Sequence, residues 1–133
     1  MSETAHPVAC STGEAPTLSI IIPAFNEEEA IESTIRRCLD ARGPICRQTP
    51  CRSVEVILIS DGSTDRTEEI ARQFEPDLRV FAFPQNRGYG AAIKFGFEQA
   101  RGSLVSFLDG DGTCDPLQFI PMIQNLLSTG ADV

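Results

Sequence analysis

Ser103-Leu-Val-Ser-Phe-Leu-Asp-Gly-Asp111 is a short apolar run that ends in two acids one residue apart. So brief a run, rich in Val, Phe and Leu, reads as a buried strand. Side chains at i and i+2 of an extended segment point the same way, which sets Asp109 and Asp111 to converge on one point. Two carboxylates held close repel each other unless a cation sits between them. Ligation by carboxylate oxygens, completed by substrate phosphates and water, is how Mg²⁺ or Mn²⁺ is usually held. A solvated turn is the plainer account of the same residues, because Asp and Gly are ordinary loop formers.

Working outward, Leu18–Ile22 is a first apolar strand, stopped by Pro23. Asn26 can cap the helix that follows, with Glu27, Glu28 and Glu29 at its positive end. Ile31, Ile35, Cys38 and Leu39 give that helix a buried face at helical spacing. The segment Ala41–Ser53, with Gly43, Pro44 and Pro50, reads as a surface loop or insertion. Val54–Ser60 is a second strand, turned by Asp61-Gly-Ser-Thr64, and Asp65 with Glu68 forms a capping pattern for the next helix. Leu78–Phe83 is a third strand, ended by Pro84. Asn86-Arg-Gly-Tyr-Gly90 leads into a helix whose Tyr89, Ile93, Gly96, Phe97 and Ala100 are expected to share a face. Leu104–Leu108 is the fourth strand, and past Pro116 a last helix runs to about Thr129, with Pro121 in its first turn.

Strand and helix alternate four times without repeats. That order predicts an α/β fold of three layers, α/β/α, around a mostly parallel sheet. Ligands of such sheets bind beyond the C-terminal strand ends. Three strands end in unusual sequences: Pro23-Ala-Phe-Asn-Glu27, Asp61-Gly-Ser-Thr-Asp65 and Asp109-Gly-Asp111. All three fall on that one edge.

The 133 residues suit one domain, residues 17–133, behind a loose leader over residues 1–16, and 41% hydrophobic content is enough for a core. A net charge of −8 leaves no basic face for nucleic acid. No stretch approaches the roughly 20 apolar residues needed to cross a bilayer, and the leader lacks the pattern of a secretory signal. The expectation is a cytoplasmic protein. The five cysteines, Cys10, Cys38, Cys46, Cys51 and Cys114, are odd in number and contain no CxxC pair, which favours reduced thiols. The lone His6 lies in the leader, so no Ser/His/Asp triad can form.

Pro-Ala-Phe-Asn-Glu, Leu-Ile-Ser-Asp-Gly-Ser-Thr-Asp, Asn-Arg-Gly-Tyr-Gly-Ala-Ala and Phe-Leu-Asp-Gly-Asp-Gly are individually short, but four in register resemble family 2 glycosyltransferases. Within that family the similarity is to the nucleotide-sugar-binding part of the dolichyl- and polyprenyl-phosphate mannosyl- and glucosyltransferases. It covers about Thr17–Val133. The resemblance implies a Rossmann-like nucleotide-diphospho-sugar transferase (GT-A) fold, incomplete at its C-terminal end. By it, Pro23, Phe25 and Glu27 line the nucleotide, and Ile59 and Asp61 contact the base. An ionised Asp only accepts hydrogen bonds, which suits a ring N–H of uracil or guanine. Asp109 and Gly110 meet the donor, and Asp109 and Asp111 act as catalytic residues that hold the metal. Thr113 stands where the polyprenyl-phosphate branch often has a metal-binding Gln, so a hydroxyl or water would take its place. Arg87 and Lys94 are candidates for phosphate contact.

Each assignment has a simpler counterpart. Asp61 is equally a turn former before Gly62, Phe25 can pack, Glu27 can favour a helix N-terminus, and Arg87 and Lys94 can be solvated.

The implied reaction is inverting transfer of a hexose from a UDP- or GDP-sugar, helped by Mg²⁺ or Mn²⁺, to a lipid phosphate such as a polyprenyl or dolichyl phosphate. The work would be done at the cytoplasmic face of a membrane, and the chain alone is expected to bind weakly and turn over poorly. A non-catalytic nucleotide- or metal-binding module that keeps the donor loops is the alternative. A phosphoacceptor domain fits less well, since Pro23 and Ala24 follow the first strand where such a domain needs acids.

Overall fold

The computed structural model describes residues 15–129. The expected leader, with His6 and Cys10, lies outside the described residues except for Ala15 and Pro16. Four strands, β1 (Thr17–Ala24), β2 (Ser53–Asp61), β3 (Leu78–Phe83) and β4 (Leu104–Phe107), form one sheet in the order β3-β2-β1-β4. Every pairing is parallel, with Ile21 opposite Ile57 on one side and Phe107 on the other.

The strand sequences are nearly continuous apolar runs because both faces of the sheet are covered. Alternation along each strand sends Ile20, Ile22, Val56, Leu58, Leu78 and Val80 to one core, beneath α1 (Ile31–Gln48), α2 (Thr67–Arg72) and α4 (Phe119–Thr129). Ile21, Ile57, Ile59 and Phe83 face the opposite core, beneath α3 (Tyr89–Gln99). The chain runs outward from β1 through β2 to β3, then crosses back under α3 to place β4 beside β1. Right-handed crossovers in opposite directions put their helices on opposite faces. The three-layer architecture expected from the sequence is therefore the one observed.

Three local expectations are corrected. Ala41–Ser53 is not a loop: α1 continues through Gly43 and Pro44 to Gln48. Ala41 and Ile45 prolong the buried face of Ile31, Ile35 and Cys38, and their burial outweighs the backbone bond that Pro44 cannot make. Asn26 does not cap α1, which starts at Ile31 after Ala30. Asn26 instead takes a left-handed φ of 53°, which asparagine tolerates. On α3 the inward residues are Ala92 and Gly96, with Phe95 edge-on to both Phe81 and Phe83, while Phe97 is exposed. Small residues let the helix lie close to β1, since a Cβ at Gly96 would stand 2.3 Å from Ile21 Cγ2.

Among the described residues the four cysteines are free thiols, and no helix is long and apolar enough to cross a membrane.

Candidate active site

The sheet order reverses between β1 and β4, and a crevice opens there beyond the strand ends. Three loops meet in it because each is tied to the next. The β1–α1 loop is tied to the β2–α2 loop through Asn26, whose amide oxygen accepts the N–H of Thr64 at 2.8 Å. The Glu27 N–H donates to the Thr67 hydroxyl at 2.8 Å, and the Glu28 N–H to Asp65 at 3.2 Å. Asp65 also accepts the N–H of Thr67 across the turn before α2, but the residue at the cap position is Arg66, which makes no side-chain cap bond, and Glu68 pairs with Arg72, so the expected capping pattern does not form.

The β3–α3 turn is tied to β2 by Asp61. This residue is only 4% exposed, and its two carboxylate oxygens accept the N–H groups of Arg87 at 2.7 Å and Gly88 at 3.0 Å. Next to it, Gly62 has φ +73°, and a Cβ there would lie 2.2 Å from the Asn86 nitrogen. Only glycine lets the two turns approach this closely.

The loop after β4 extends the ladder with β1, through Leu108 N–H to Ile21 O at 2.8 Å and Gly110 N–H to Pro23 O at 3.3 Å. From α1, the Thr34 hydroxyl reaches the Gly110 carbonyl at 3.4 Å. Arg37 donates to the carbonyls of Gly112 at 3.0 Å and Cys114 at 3.1 Å.

The resulting cleft has a volume of about 320 Å³. Of the residues marked from the sequence, Pro23, Phe25, Glu27, Asp61, Asp109, Gly110 and Asp111 all line it. Four others do not. Ile59 is fully buried in the core under α3, because strand alternation turns it toward that helix. Arg87 stacks its guanidinium 4.4 Å over the Phe83 ring, and Lys94 is exposed on α3. Thr113 sits one step outside, where its hydroxyl donates to Asp111 Oδ1 at 2.7 Å and its N–H at 3.0 Å.

Sequence reasoning missed Tyr89. Placed there only on a helix face shared with Ile93, Gly96, Phe97 and Ala100, it is exposed at the start of α3, and its hydroxyl donates to Asp109 Oδ1 at 2.5 Å. Its place in the Asn-Arg-Gly-Tyr-Gly block, at a helix N-terminus on the binding edge, was the available signal.

The electrostatics are those of an acidic cleft. Partial burial and the charges of Asp111, Asp65 and Asp109 push the Glu27 carboxyl above its usual range. The Thr113 hydroxyl and N–H hold Asp111 below its own. Burial and the bond to Asp109 push the Tyr89 phenol up to about 12. Among the described residues, no three acidic, histidine or cysteine side chains gather closely enough to hold a metal ion by themselves.

Residues 19–133 match the sequence profile described as glycosyl transferase family 2. The chain belongs to glycosyl transferase family 2. It is 40% identical over 111 residues to glycosyltransferase AglE of Haloferax volcanii, covering 80% of this chain and 34% of that protein. It is 38% identical over 100 residues to a dolichyl-phosphate beta-glucosyltransferase of Drosophila melanogaster, covering 71% of this chain and 31% of the relative. The fold matches that of glucosyl-3-phosphoglycerate synthase from Mycobacterium tuberculosis, solved with Mn²⁺, UDP and phosphoglyceric acid. That match has a TM-score of 0.62 and 32% identity over 86% of this chain and 40% of the other. The family 2 chain described here spans about a third of the length of the curated relatives it matches. Its parallel sheet with flanking helices is the Rossmann-like α/β fold of the GT-A glycosyltransferases among these neighbours.

Proposed function

We propose that residues 17–133 form the donor-binding part of an inverting glycosyltransferase. It moves a hexose from a UDP- or GDP-sugar onto a lipid phosphate of the polyprenyl or dolichyl type, at the cytoplasmic face of a membrane, with Mg²⁺ or Mn²⁺. The observation that carries this reading is that three strand-end loops, bearing Phe25, Asp61 and the Asp109–Asp111 pair, line one cleft at the switch point.

The donor set fits a hard divalent cation. Asp109 and Asp111 offer carboxylate oxygens, and Asp109 Oδ2 takes part in none of the bonds described above. Among the described residues no third His, Cys, Asp or Glu side chain gathers with them closely enough to complete a metal site, so the remaining oxygens would come chiefly from the donor diphosphate and water, the usual arrangement for Mg²⁺. When bound, the cation offsets negative charge on the departing diphosphate.

The chain's own residues do the rest. Phe25, 45% exposed beside Pro23, offers an apolar surface for a nucleoside. Asp61 already spends both oxygens on the Arg87 and Gly88 amides, so contact with a base would use its remaining lone pairs. Tyr89 orients Asp109, and Thr113 orients Asp111. An acceptor phosphate oxygen would attack the anomeric carbon as the bond to the diphosphate breaks, inverting the centre and releasing the nucleoside diphosphate. A phosphate is already ionised near neutral pH, so this step asks no general base of the protein.

The relatives' names support the acceptor class and the solved neighbour supports Mn²⁺ with a uridine nucleotide. Titrating UDP-glucose and GDP-mannose with Mn²⁺, then assaying nucleoside diphosphate release with a polyprenyl phosphate, tests the proposal. Binding without release on any acceptor supports the non-catalytic module; absence of metal-dependent binding rejects both readings.

A further inference from the structure

The loop that carries Asp111 has no regular structure between Gly110 and Asp115, and Gly112 within it holds a left-handed φ of +82°. Within it Thr113 holds the Asp111 carboxylate, so the aim of that carboxylate depends on what holds the loop itself against the fold. Arg37, on the second turn of α1, supplies that constraint. Its two terminal nitrogens donate to the carbonyls of Gly112 and Cys114, one residue and three residues past Asp111. A planar guanidinium holds its two N–H groups at a fixed separation, so it sets the spacing of the two carbonyls it bridges. On the other side of Asp111, the Gly110 N–H is bound to the Pro23 carbonyl of β1 at 3.3 Å. Asp111 is thus the residue between two clamps, both anchored on core elements.

Two further features separate this arginine from a solvated one. Its Nε is buried with no hydrogen-bond partner, a cost that a freely solvated side chain would avoid. Its bonds go to main-chain carbonyls rather than to a carboxylate, unlike those of its neighbour Arg36, which pairs with Glu32 across one helix turn at the surface. The side chain is placed for the loop rather than for a salt bridge.

We propose that Arg37 is a positioning residue: its fork on the Gly112 and Cys114 carbonyls fixes the direction of Asp111 and so the affinity of the cleft for a divalent cation. The inference rests on the donor-site reading above. Supporting groups of this kind typically change metal affinity by about 10–100-fold when removed.

The test titrates Mn²⁺ into the full chain at fixed UDP, and separately at fixed GDP, following binding calorimetrically, with metal-free nucleotide binding and the thermal midpoint measured alongside. Arg37→Met is expected to weaken the Mn²⁺-dependent component by about 10–100-fold and leave metal-free nucleotide binding unchanged. Arg37→Lys, which keeps the charge but reaches one carbonyl only, should recover part of the loss. If Arg37→Met proves unfolded at the assay temperature, Arg37→Lys decides: Mn²⁺ affinity equal to that of the parent chain overturns the proposal. Equal losses of Mn²⁺-dependent and metal-free binding in either variant also overturn it, since they mark a general structural role. A parent chain with no Mn²⁺-dependent binding overturns the donor-site reading itself, a result distinct from either.

Discussion

Asp61→Asn separates a loop anchor from a base contact. In the native chain two carboxylate oxygens, buried to 4% exposure, each accept one backbone N–H, at 2.7 Å and 3.0 Å. Hydrogen bonds to a charged group contribute about 1.5–3 kcal/mol each. Asparagine keeps one oxygen, and that bond falls to the neutral value of about 1 kcal/mol. The other position becomes an NH₂ facing an N–H, which leaves a buried donor unsatisfied at about 1–3 kcal/mol. Together these give a loss of roughly 1.5–5 kcal/mol, a large share of the 5–15 kcal/mol that holds an average domain. Urea unfolding should show the midpoint fall with the slope unchanged. A loss below about 0.5 kcal/mol, accompanied by weaker nucleotide binding, would refute the anchoring argument and leave Asp61 as a base contact alone.

Gly62→Ala should destabilise by at least about 1–2 kcal/mol, the cost of a left-handed L-residue, because φ is +73° and the new Cβ would meet the Asn86 backbone. Gly90→Ala, with nothing within 4 Å inside α3, should stabilise by about 0.5–1 kcal/mol in the same denaturation experiment. Asp111→Ala should abolish Mn²⁺-dependent nucleotide binding and barely move the thermal midpoint, since Asp111 is exposed and bonds only within its own loop; a large stability loss with unaltered affinity contradicts its assignment. The chain has one tyrosine and no tryptophan, so ultraviolet titration reads Tyr89 alone. It should ionise near 12, above the ordinary 10. Between those values the unfolded chain gives up the proton first, so this group's contribution to stability is full below pH 10 and disappears as pH rises toward about 12. Tyr89→Phe should remove that pH dependence.

The strands were legible because Leu18–Ile22, Val54–Ser60 and Leu78–Phe83 are apolar runs bounded by Pro, Gly and Asp, and a sheet buried on both faces demands that pattern. Alternation of strand and helix then left few topologies open. Seven of the residues marked from the strand-end loops and the family resemblance they carry line one cleft, since loops at the C-terminal ends of parallel strands share an edge whatever their internal shape.

Other features were not local properties. The chain passes through Gly43-Pro44 as helix because Ile45 finds a place in the core, and core contacts are set by elements distant in sequence. Phe97 was grouped on one face with Gly96, yet close approach of α3 to β1 selects Ala92 and Gly96 for the interface and leaves Phe97 exposed. Ile59 was marked for the cleft and belongs to the core, because alternation along β2 fixes its side and the crossover of α3 covers that side. Arg37 carries no motif of its own, and the block that contains Tyr89 does not show that its hydroxyl meets Asp109. Sequence alone therefore determined the sheet, its binding edge and the acidic character of that edge, all consequences of short-range patterning. Tertiary structure decided which neighbours aim the acids, because a hydrogen bond spanning 75 residues, like that from Arg37 to Gly112, depends on where two elements pack and leaves no periodic trace in the chain.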